Sequence, residues 1–342
     1  MKHLLRESSL PELRIFDEVA ASLYAHAKVE TLDYIEHKEM RYPIRSLVMG
    51  NPDPEAPCLC LIGGVHGIER IGSHVILSFL RSLAGYIRWS DTYKEIYKKI
   101  RLAVIPVINP IGMALKKRGN GNRVDLMRNA PVESDEVKWY QLFAGQNFSS
   151  RLHWYRGNEI QKEVQILLDF VRKHCFSSRF SISIDFHSGF GFRDRIWFPY
   201  AYTRKPPPNL AEIYRLRKLL REVYPYHVYK FEPQTNQYLI KGDLWDYLYK
   251  DHNESSKNGI YLPFTLELGS WQWLRKNPMK LFSSIGIYNP VKIHRYHRVL
   301  RRHQLLINFM LEASINHKNW MDDVAIIEND FHNKALKKWY GT

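Results

Sequence analysis

The amino-acid sequence predicts an α/β protein with a mixed, largely parallel central sheet flanked by helices. Short apolar runs rich in β-branched residues, most of them followed by turn residues, alternate with longer segments whose apolar residues recur at helical spacing. The 342 residues include 45% hydrophobic and 25% charged residues, a globular composition that excludes disordered and fibrous chains. Strands that alternate with helices are typical of α/β sandwiches.

The predicted elements follow in chain order. Apolar spacing predicts a helix over residues 10–28, and a strand is predicted over 41–49. A compact apolar run over 58–62 predicts a buried strand that enters the Gly63-Gly64 loop, and helical spacing resumes over 71–83. The remaining predictions are three strands, over 102–108, 180–186 and 261–268, and three helices, over 161–174, 209–223 and 291–311.

The chain shows no internal repeat and no long linker rich in proline, glycine or serine. We therefore expect a single domain over residues 1–312, in which residues 1–40 form a helical lead-in. Residues 313–342 are predicted to be a C-terminal tail that packs back on the domain through its aromatic side chains, which are Trp320, Phe331, Trp339 and Tyr340.

The charge balance and the cysteine count bear on cellular environment. With 50 Lys+Arg and 35 Asp+Glu, the formal net charge is +15. This excess of positive charge needs an explanation, either as part of a functional site or as solvated surface charge. Three cysteines cannot form a disulfide framework, which points to a reducing compartment. The sequence shows no signal-peptide pattern and no apolar stretch of the roughly 20 residues that span a bilayer, so we expect a cytoplasmic protein.

Residues that can bind a metal or exchange a proton lie in or directly after three of the predicted strands. His66 and Glu69 stand in Gly-Gly-Val-His-Gly-Ile-Glu, directly after the first buried strand. His187 closes a later strand in Asp-Phe-His-Ser-Gly, and Glu267 interrupts the last apolar run. In open α/β sheets, functional groups gather at the carboxyl ends of the strands, so we expect these four side chains to meet.

Two imidazoles and one carboxylate leave a fourth tetrahedral position open, which is the catalytic zinc arrangement. Water activated by zinc in that position can attack near neutral pH, and Glu267 would be the general base that takes its proton. Taken singly, a His-x-x-Glu pair can arise by chance among 15 histidines, His187 fits a hydrogen-bonded strand end, and Glu267 fits an ion pair. Their conjunction in a consistent order, with glycines beside each, favours the zinc site.

The order of these motifs resembles the zinc carboxypeptidase superfamily. After His-x-x-Glu come Val-Asp-Leu-Met-Arg-Asn at residues 124–129, then Asp-x-His-Ser, and then a strand with a glutamate, over roughly residues 42–290. The superfamily includes carboxypeptidase A-type enzymes and, more distantly, aspartoacylase and succinylglutamate desuccinylase. The resemblance implies a single zinc carboxypeptidase-like catalytic domain that binds one Zn²⁺ per chain.

Carried over position by position, the resemblance implies a ligand set and a base. His66, Glu69 and His187 match the zinc ligands of the family, and Glu267 matches its general base. We therefore expect a metallohydrolase that cleaves an amide bond of a substrate bound at this cluster.

The resemblance also implies roles for arginines between these motifs. Arg128 matches the arginine that binds the terminal carboxylate of the substrate, whereas Met127 stands where the family usually has an asparagine for the same carboxylate. This departure weakens the expectation of strict C-terminal recognition. Arg118 is the first candidate for the arginine that stabilises the oxyanion, and Arg123 is its competitor.

Aromatic residues could complete a substrate site. Tyr238 lies eight residues before Asp246, with Gly242 between them, and resembles the mobile substrate-capping tyrosine segment of the family. A packed core aromatic is the alternative for Tyr238. Four further aromatic residues fit either a hydrophobic subsite or core packing: Trp197, Tyr200, Trp271 and Trp273.

The sequence thus predicts a zinc-dependent, carboxypeptidase-like hydrolase that cleaves an amide or peptide bond next to a free carboxylate. The alternatives are an N-acyl amino acid amidohydrolase with the same metal site and a non-catalytic basic binding protein on the same scaffold. The expected partner is a peptide or N-acyl amino acid with a free carboxylate. For the basic residues 292–303, a solvated helix face is favoured over a nucleic-acid surface, because aromatic residues are not regularly interleaved there.

Overall fold

A computed structural model describes residues 6–7, 10–255, 259–275 and 284–341, and its centre is a mixed sheet. Nine strands in these residues form the sheet: β1 (Arg6–Glu7), β2 (Ala27–His37), β3 (Met40–Gly50), β4 (Cys58–Gly63), β5 (Arg101–Ile105), β6 (Phe180–Ser188), β7 (Arg195–Phe198), β8 (Lys230–Pro233) and β9 (Ile260–Leu268). Their order is β1-β3-β5-β4-β6-β9-β7-β8, and β2 pairs with β3. The central strands β5, β4, β6 and β9 run parallel, whereas β2·β3, β3·β5 and β7·β9 are antiparallel. The predicted fold class is confirmed.

Helices cover both faces of this sheet. Those in the described residues are α1 (Pro11–Ser22), α2 (Arg70–Ile87), α3 (Asp91–Tyr97), α4 (Pro110–Ala114), α5 (Lys162–Cys175), α6 (Leu210–Val223), α7 (Leu244–Glu254), α8 (Trp271–Arg275), α9 (Ser284–Tyr288), α10 (Ile293–Ile315) and α11 (His317–Trp339). Strand β4 shows how the layers arise, because successive side chains point to opposite faces. Leu59 and Leu61 belong to a core cluster that includes side chains of α1, α2, α6, α10 and α11, and Cys58 and Cys60 belong to a second cluster with side chains of α5 and α7. Both cysteines are buried and free, and they act as small hydrophobic residues.

The N-terminal region differs from its prediction. The helix expected over 10–28 ends at Ser22, and Ala27–His37 forms β2 rather than part of a helical lead-in. The physical reason is the hairpin with β3, in which Ala27 lies opposite Met49 and His37 lies opposite Met40. Most β2 side chains are half-buried, so the sequence lacks the clean alternation that marks a strand.

The C-terminal region is helical. The predicted boundary at residue 312 falls inside α10, which runs on to Ile315. Helix α11 packs on α6, and Trp320, Phe331 and Trp339 are buried there. The Trp339 indole nitrogen donates to the Phe231 carbonyl at 3.0 Å, which ties α11 to β8. In the described part of the chain, no helix is long and apolar enough to cross a membrane.

Candidate metal centre

His66, Glu69 and His187 form one buried cluster, which we call the metal cluster. The first two lie between β4 and the start of α2, and His187 lies near the carboxyl end of the neighbouring parallel strand β6. One ligand atom from each residue lies within 4.8 Å of the others. The Nδ1 atoms of the two histidines are 3.1 Å apart, and the Glu69 carboxylate lies 2.9 Å from one and 3.1 Å from the other. The structure therefore brings together the three predicted ligands.

The chemistry of this donor set fits a zinc ion. His66 Nε2 lies 3.0 Å from the Asp125 carboxylate, and His187 Nε2 lies 2.6 Å from that of Asp185. Each carboxylate favours a proton on Nε2, which turns the lone pair of Nδ1 towards the centre. Two such lone pairs 3.1 Å apart repel each other unless a cation or proton lies between them. Burial alone would raise the pKa of Glu69, but the two histidines outweigh it and lower that pKa, so the carboxylate is charged.

A turn at residues 109–112 anchors the loop that carries His66. The Asn109 side chain accepts from the Gly112 backbone at 2.8 Å and donates to the Val65 carbonyl at 3.1 Å. The two loops touch so closely that a Cβ atom on Gly67 would lie 2.0 Å from the Gly112 carbonyl carbon. Glycine at these positions is therefore needed to seat His66 and Glu69 against the turn.

Glu267 faces the metal cluster from the neighbouring strand. In the parallel pair of β6 and β9, Glu267 lies opposite His187. The side chain is buried, and among the described residues no lysine or arginine lies within ion-pair distance of it. Burial and then the charge of Glu69 raise the pKa of Glu267 to about 8. A carboxyl group with a raised pKa beside a metal site can accept and return a proton near neutral pH.

Asp125 holds two arginines as well as His66. Its Oδ2 atom accepts from Arg118 Nε and from Arg128 Nη1, both at 2.9 Å. Arg118 also donates to Glu69 at 3.2 Å, and Arg128 donates to the Phe143 carbonyl at 3.1 Å. Both arginines line the cleft described below, whereas Arg123 is exposed and does not. The structure thus places Arg118, and not its competitor, at the metal cluster.

The metal cluster opens into a cavity of about 340 Å³, which we call the cleft. Besides the metal cluster, Glu267 and the two arginines, its walls are mainly apolar and aromatic, and they include Met127, Phe143, Trp154, Phe190, Trp197, Tyr238 and Tyr288. The half-buried Tyr238 ring makes edge contacts with Phe143, Phe190 and Trp197. Tyr238 therefore lines the cleft and also packs among aromatic rings, and its role as a substrate-capping residue stays a prediction.

The segment that carries Tyr238 is fixed to the turn that carries Arg128. Gly242 has a φ of +75°, and a Cβ atom there would lie 1.9 Å from the Arg128 carbonyl oxygen. The Gly242 carbonyl accepts from the Ala130 backbone at 3.0 Å, and its N–H donates to the Val132 carbonyl at 2.7 Å. Only glycine combines this conformation with so close an approach.

Other predicted candidates lie elsewhere. Trp273 is in the core, Tyr200 packs on Tyr249, and Trp271 packs on Phe190 outside the cleft, so only Trp197 of these four aromatic residues lines it.

The basic face of α10 is partly structural. Arg302 pairs with the buried Asp194 at 2.9 Å, and His303 is buried against the Tyr229 hydroxyl at 3.1 Å. Lys292, Arg298 and Arg301 are exposed, as expected of a solvated helix face.

Asp125 and Asp185 are two residues of the site that are not predicted from the sequence above. Asp185 lies two residues before His187 on a strand, a spacing that puts both side chains on one face and could have revealed the pair. Asp125 lies three residues before Arg128 in a 3₁₀ turn, where an aspartate–arginine pair is also predictable.

Comparisons with known proteins show which family the chain resembles. Residues 40–282 match the family model described as zinc carboxypeptidase. The chain is 27% identical over 225 residues to carboxypeptidase A4 from Mus musculus, an alignment that covers 62% of this chain and 50% of that protein. It is 25% identical over 240 residues to carboxypeptidase B from Bos taurus, covering 65% and 54%. The chain therefore spans about half the length of these curated relatives.

Solved structures show the same fold. The crystal structure of thrombin activatable fibrinolysis inhibitor has a TM-score of 0.59 and 17% identity, and the match covers 85% of this chain and 74% of that chain. Carboxypeptidase A from Helicoverpa armigera gives a TM-score of 0.56 at 16% identity, with coverages of 85% and 71%.

Proposed function

Because the chain belongs to the zinc carboxypeptidase family, we propose that it is a zinc-dependent hydrolase that cleaves an amide or peptide bond next to a free carboxylate. One observation carries the proposal. A three-residue metal cluster, a carboxyl group of raised pKa and two oriented arginines share one cavity of about 340 Å³.

His66, Glu69 and His187 would hold the ion, which when bound supplies a Lewis acid that acidifies water at the open position. Asp125 and Asp185 hold the two imidazoles in the tautomer and orientation that ligation needs. Glu267 then takes the proton of the attacking water and returns it to the leaving nitrogen.

The two arginines of the cleft would bind the two negatively charged groups of the reaction, the oxyanion and the substrate carboxylate. Arg118, which donates to Glu69, lies beside the metal cluster and would stabilise the oxyanion that develops on the scissile carbonyl. Arg128 lies deeper in the cleft and would pair with the free carboxylate of the substrate. Met127 beside it cannot donate a hydrogen bond, so the carboxylate would depend on the guanidinium more than in a site with an asparagine.

Tyr238 would close over the bound substrate. Its ring already lies among Phe143, Phe190 and Trp197, so the hydroxyl is the polar part that a substrate would meet. Burial raises the pKa of Tyr238 to about 12, which keeps the hydroxyl protonated as a hydrogen-bond donor.

The test is a substrate panel measured on one preparation whose zinc content is known. We expect about one zinc per chain and release of C-terminal residues from peptides, with no release from the same peptides after C-terminal amidation. Amidation is the matched control, because it removes only the negative charge that Arg128 would bind. If only N-acyl amino acids are turned over, the protein is an amidohydrolase rather than a peptidase. A protein without zinc after metal-replete purification would overturn the proposal.

A further inference from the structure

A second cavity, of about 430 Å³, lies beside the carboxyl end of α6, the start of β8 and the end of α11. Six basic side chains line it, and we call it the basic pocket: Arg193, Arg217, Arg221, His227, Lys230 and Lys338. Tyr229 and Trp339 form its buried floor. None of these residues lines the cleft, so the basic pocket is separate from the metal cluster.

Three of these cations have no carboxylate close to them in the part of the chain that the structure describes. Within the described residues, no carboxylate lies within 4.0 Å of Arg217, Arg221 or Lys338. The one acidic residue of the pocket wall, Glu232, is shared between Lys230 at 2.5 Å and Arg195 at 2.9 Å.

The cations also lie close enough to repel one another. Burial, followed by the charges of Arg217, Arg221 and Lys230, lowers the pKa of Lys338. Burial and the charge of Arg221 likewise lower the pKa of Arg217. Among the described residues, folding therefore brings these cations together with no carboxylate beside Arg217, Arg221 or Lys338, and a bound anion would relieve the repulsion.

His227 adds a hydrogen-bond donor to this arrangement. Its Nδ1 atom accepts from the Tyr229 backbone at 3.1 Å, so the ring proton of the neutral imidazole is on Nε2. Its ring stacks on Tyr229, with a centroid distance of 6.0 Å, which fixes its position at the pocket.

We propose that the basic pocket binds a phosphate-bearing anion of high charge density, of the size of an oligophosphate group. Guanidinium forks bind phosphate oxygens in pairs, and a lysine adds a point charge. The volume of the pocket admits a few phosphate groups, whereas a single carboxylate would leave most of the cations uncompensated. Both aromatic residues of its floor are buried and cannot stack on bases, which disfavours a nucleic-acid strand.

Titration calorimetry with sodium tripolyphosphate tests the site on the full chain. We expect saturable binding of one tripolyphosphate per chain. Arg221→Gln and Lys338→Gln, both at exposed positions, should each weaken binding about tenfold, since each removes a charged hydrogen-bond donor. Lys99→Gln is the matched control, because it removes one charge from an exposed position outside the pocket and should change the Kd less than about twofold.

A second arm distinguishes free phosphates from lipid headgroups. Sedimentation with phosphatidylcholine vesicles containing phosphatidylinositol 4,5-bisphosphate, with and without tripolyphosphate, shows which form the pocket takes. Sedimentation that tripolyphosphate reverses identifies a headgroup site, and no sedimentation identifies a site for free oligophosphate. Absence of saturable tripolyphosphate binding, or equal weakening by all three variants, would overturn the proposal.

Discussion

The cleft and the basic pocket both contain arginines, but they manage the positive charge in opposite ways. In the cleft, Asp125 binds Arg118 and Arg128 at 2.9 Å each, and both guanidinium groups are fixed in orientation. In the basic pocket, Arg217 and Arg221 have no carboxylate within ion-pair distance in the described residues, and they face other cations. This difference fits the two proposals, in which the cleft arginines are held in fixed orientations for a reaction and the pocket cations attract an anion.

This contrast also locates the charge excess of +15. The cleft arginines contribute little to it, since Asp125 and Glu69 lie against them. Among the described residues, Arg217, Arg221 and Lys338 of the basic pocket and the exposed Lys292, Arg298 and Arg301 of the basic face of α10 carry part of this charge without a carboxylate in ion-pair distance. Long-range attraction of anions would therefore act mainly outside the cleft.

Glu267 is the exception inside the cleft, a buried carboxyl group with no lysine or arginine within ion-pair distance among the described residues, and its replacement should have the largest effect. Glu267→Gln should retain zinc and lose turnover by about 10³-fold, because it removes the proton acceptor and leaves the ligands in place. The measurement is kcat on a peptide substrate together with metal analysis.

His66→Ala is the companion variant, and it should lose both zinc and turnover. Zinc content equal to that of the wild type in His66→Ala would contradict the ligand assignment. Full activity in Glu267→Gln would contradict the proposed role of Glu267, and with it the proposed difference between a catalytic cleft and an anion-binding pocket.

Neutralising one arginine in each region tests the comparison directly. Arg128→Gln should destabilise the protein by about 3 kcal/mol, because Asp125 then remains buried with fewer partners. Arg221→Gln should change the free energy of unfolding by less than about 0.5 kcal/mol, since no ion pair is lost. Urea unfolding measures both values. Equal destabilisation by the two variants would show that ion pairs do not hold the cleft arginine more firmly than the pocket arginine.

A close backbone contact between Gly242 and Arg128 also constrains the wall of the cleft. Gly242→Ala should destabilise the protein by about 2 kcal/mol, because its Cβ atom would meet the Arg128 carbonyl oxygen in a left-handed conformation. Gly85→Ala in α2 is the control, since a Cβ atom there meets nothing within 4 Å and alanine favours a helix. Thermal unfolding should therefore shift in opposite directions for the two variants.

Much of the cleft could be predicted from the sequence, because hydrophobic pattern marks the strands that carry or precede its residues, and the motif order resembles a known family. Functional groups gather at the carboxyl ends of strands in such sheets, and the structure shows the pairing itself, which brings His187 opposite Glu267 and both beside the loop of His66. The sequence favours Arg118 over Arg123 without excluding the latter, because their positions depend on how the loop folds onto Asp125.

The basic pocket could not be predicted, because its residues come from segments that show no shared pattern. Arg217 and Arg221 lie one helical turn apart, which the sequence does reveal, but Lys338 joins them only because α11 packs on α6. Strands β7 and β8 have four residues each, too few for a periodic signal, and they position Lys230.

The smallest expected effect is a pH dependence confined to the basic pocket. Burial and the charges of Arg221 and Arg217 lower the pKa of His227 below its ordinary value of 6.5. As the pH falls below 6.5, the unfolded chain takes up this proton before the folded chain does, so the contribution of His227 to stability decreases. The free energy of unfolding of the wild type, minus that of His227→Gln, should therefore fall between about pH 7 and pH 5.5. Tripolyphosphate should flatten this difference, because an anion in the pocket favours the charged imidazole. A difference that does not change with pH in the absence of the anion would show that the pocket cations do not act on His227, and the contrast with the cleft would then rest on Arg217, Arg221 and Lys338 alone.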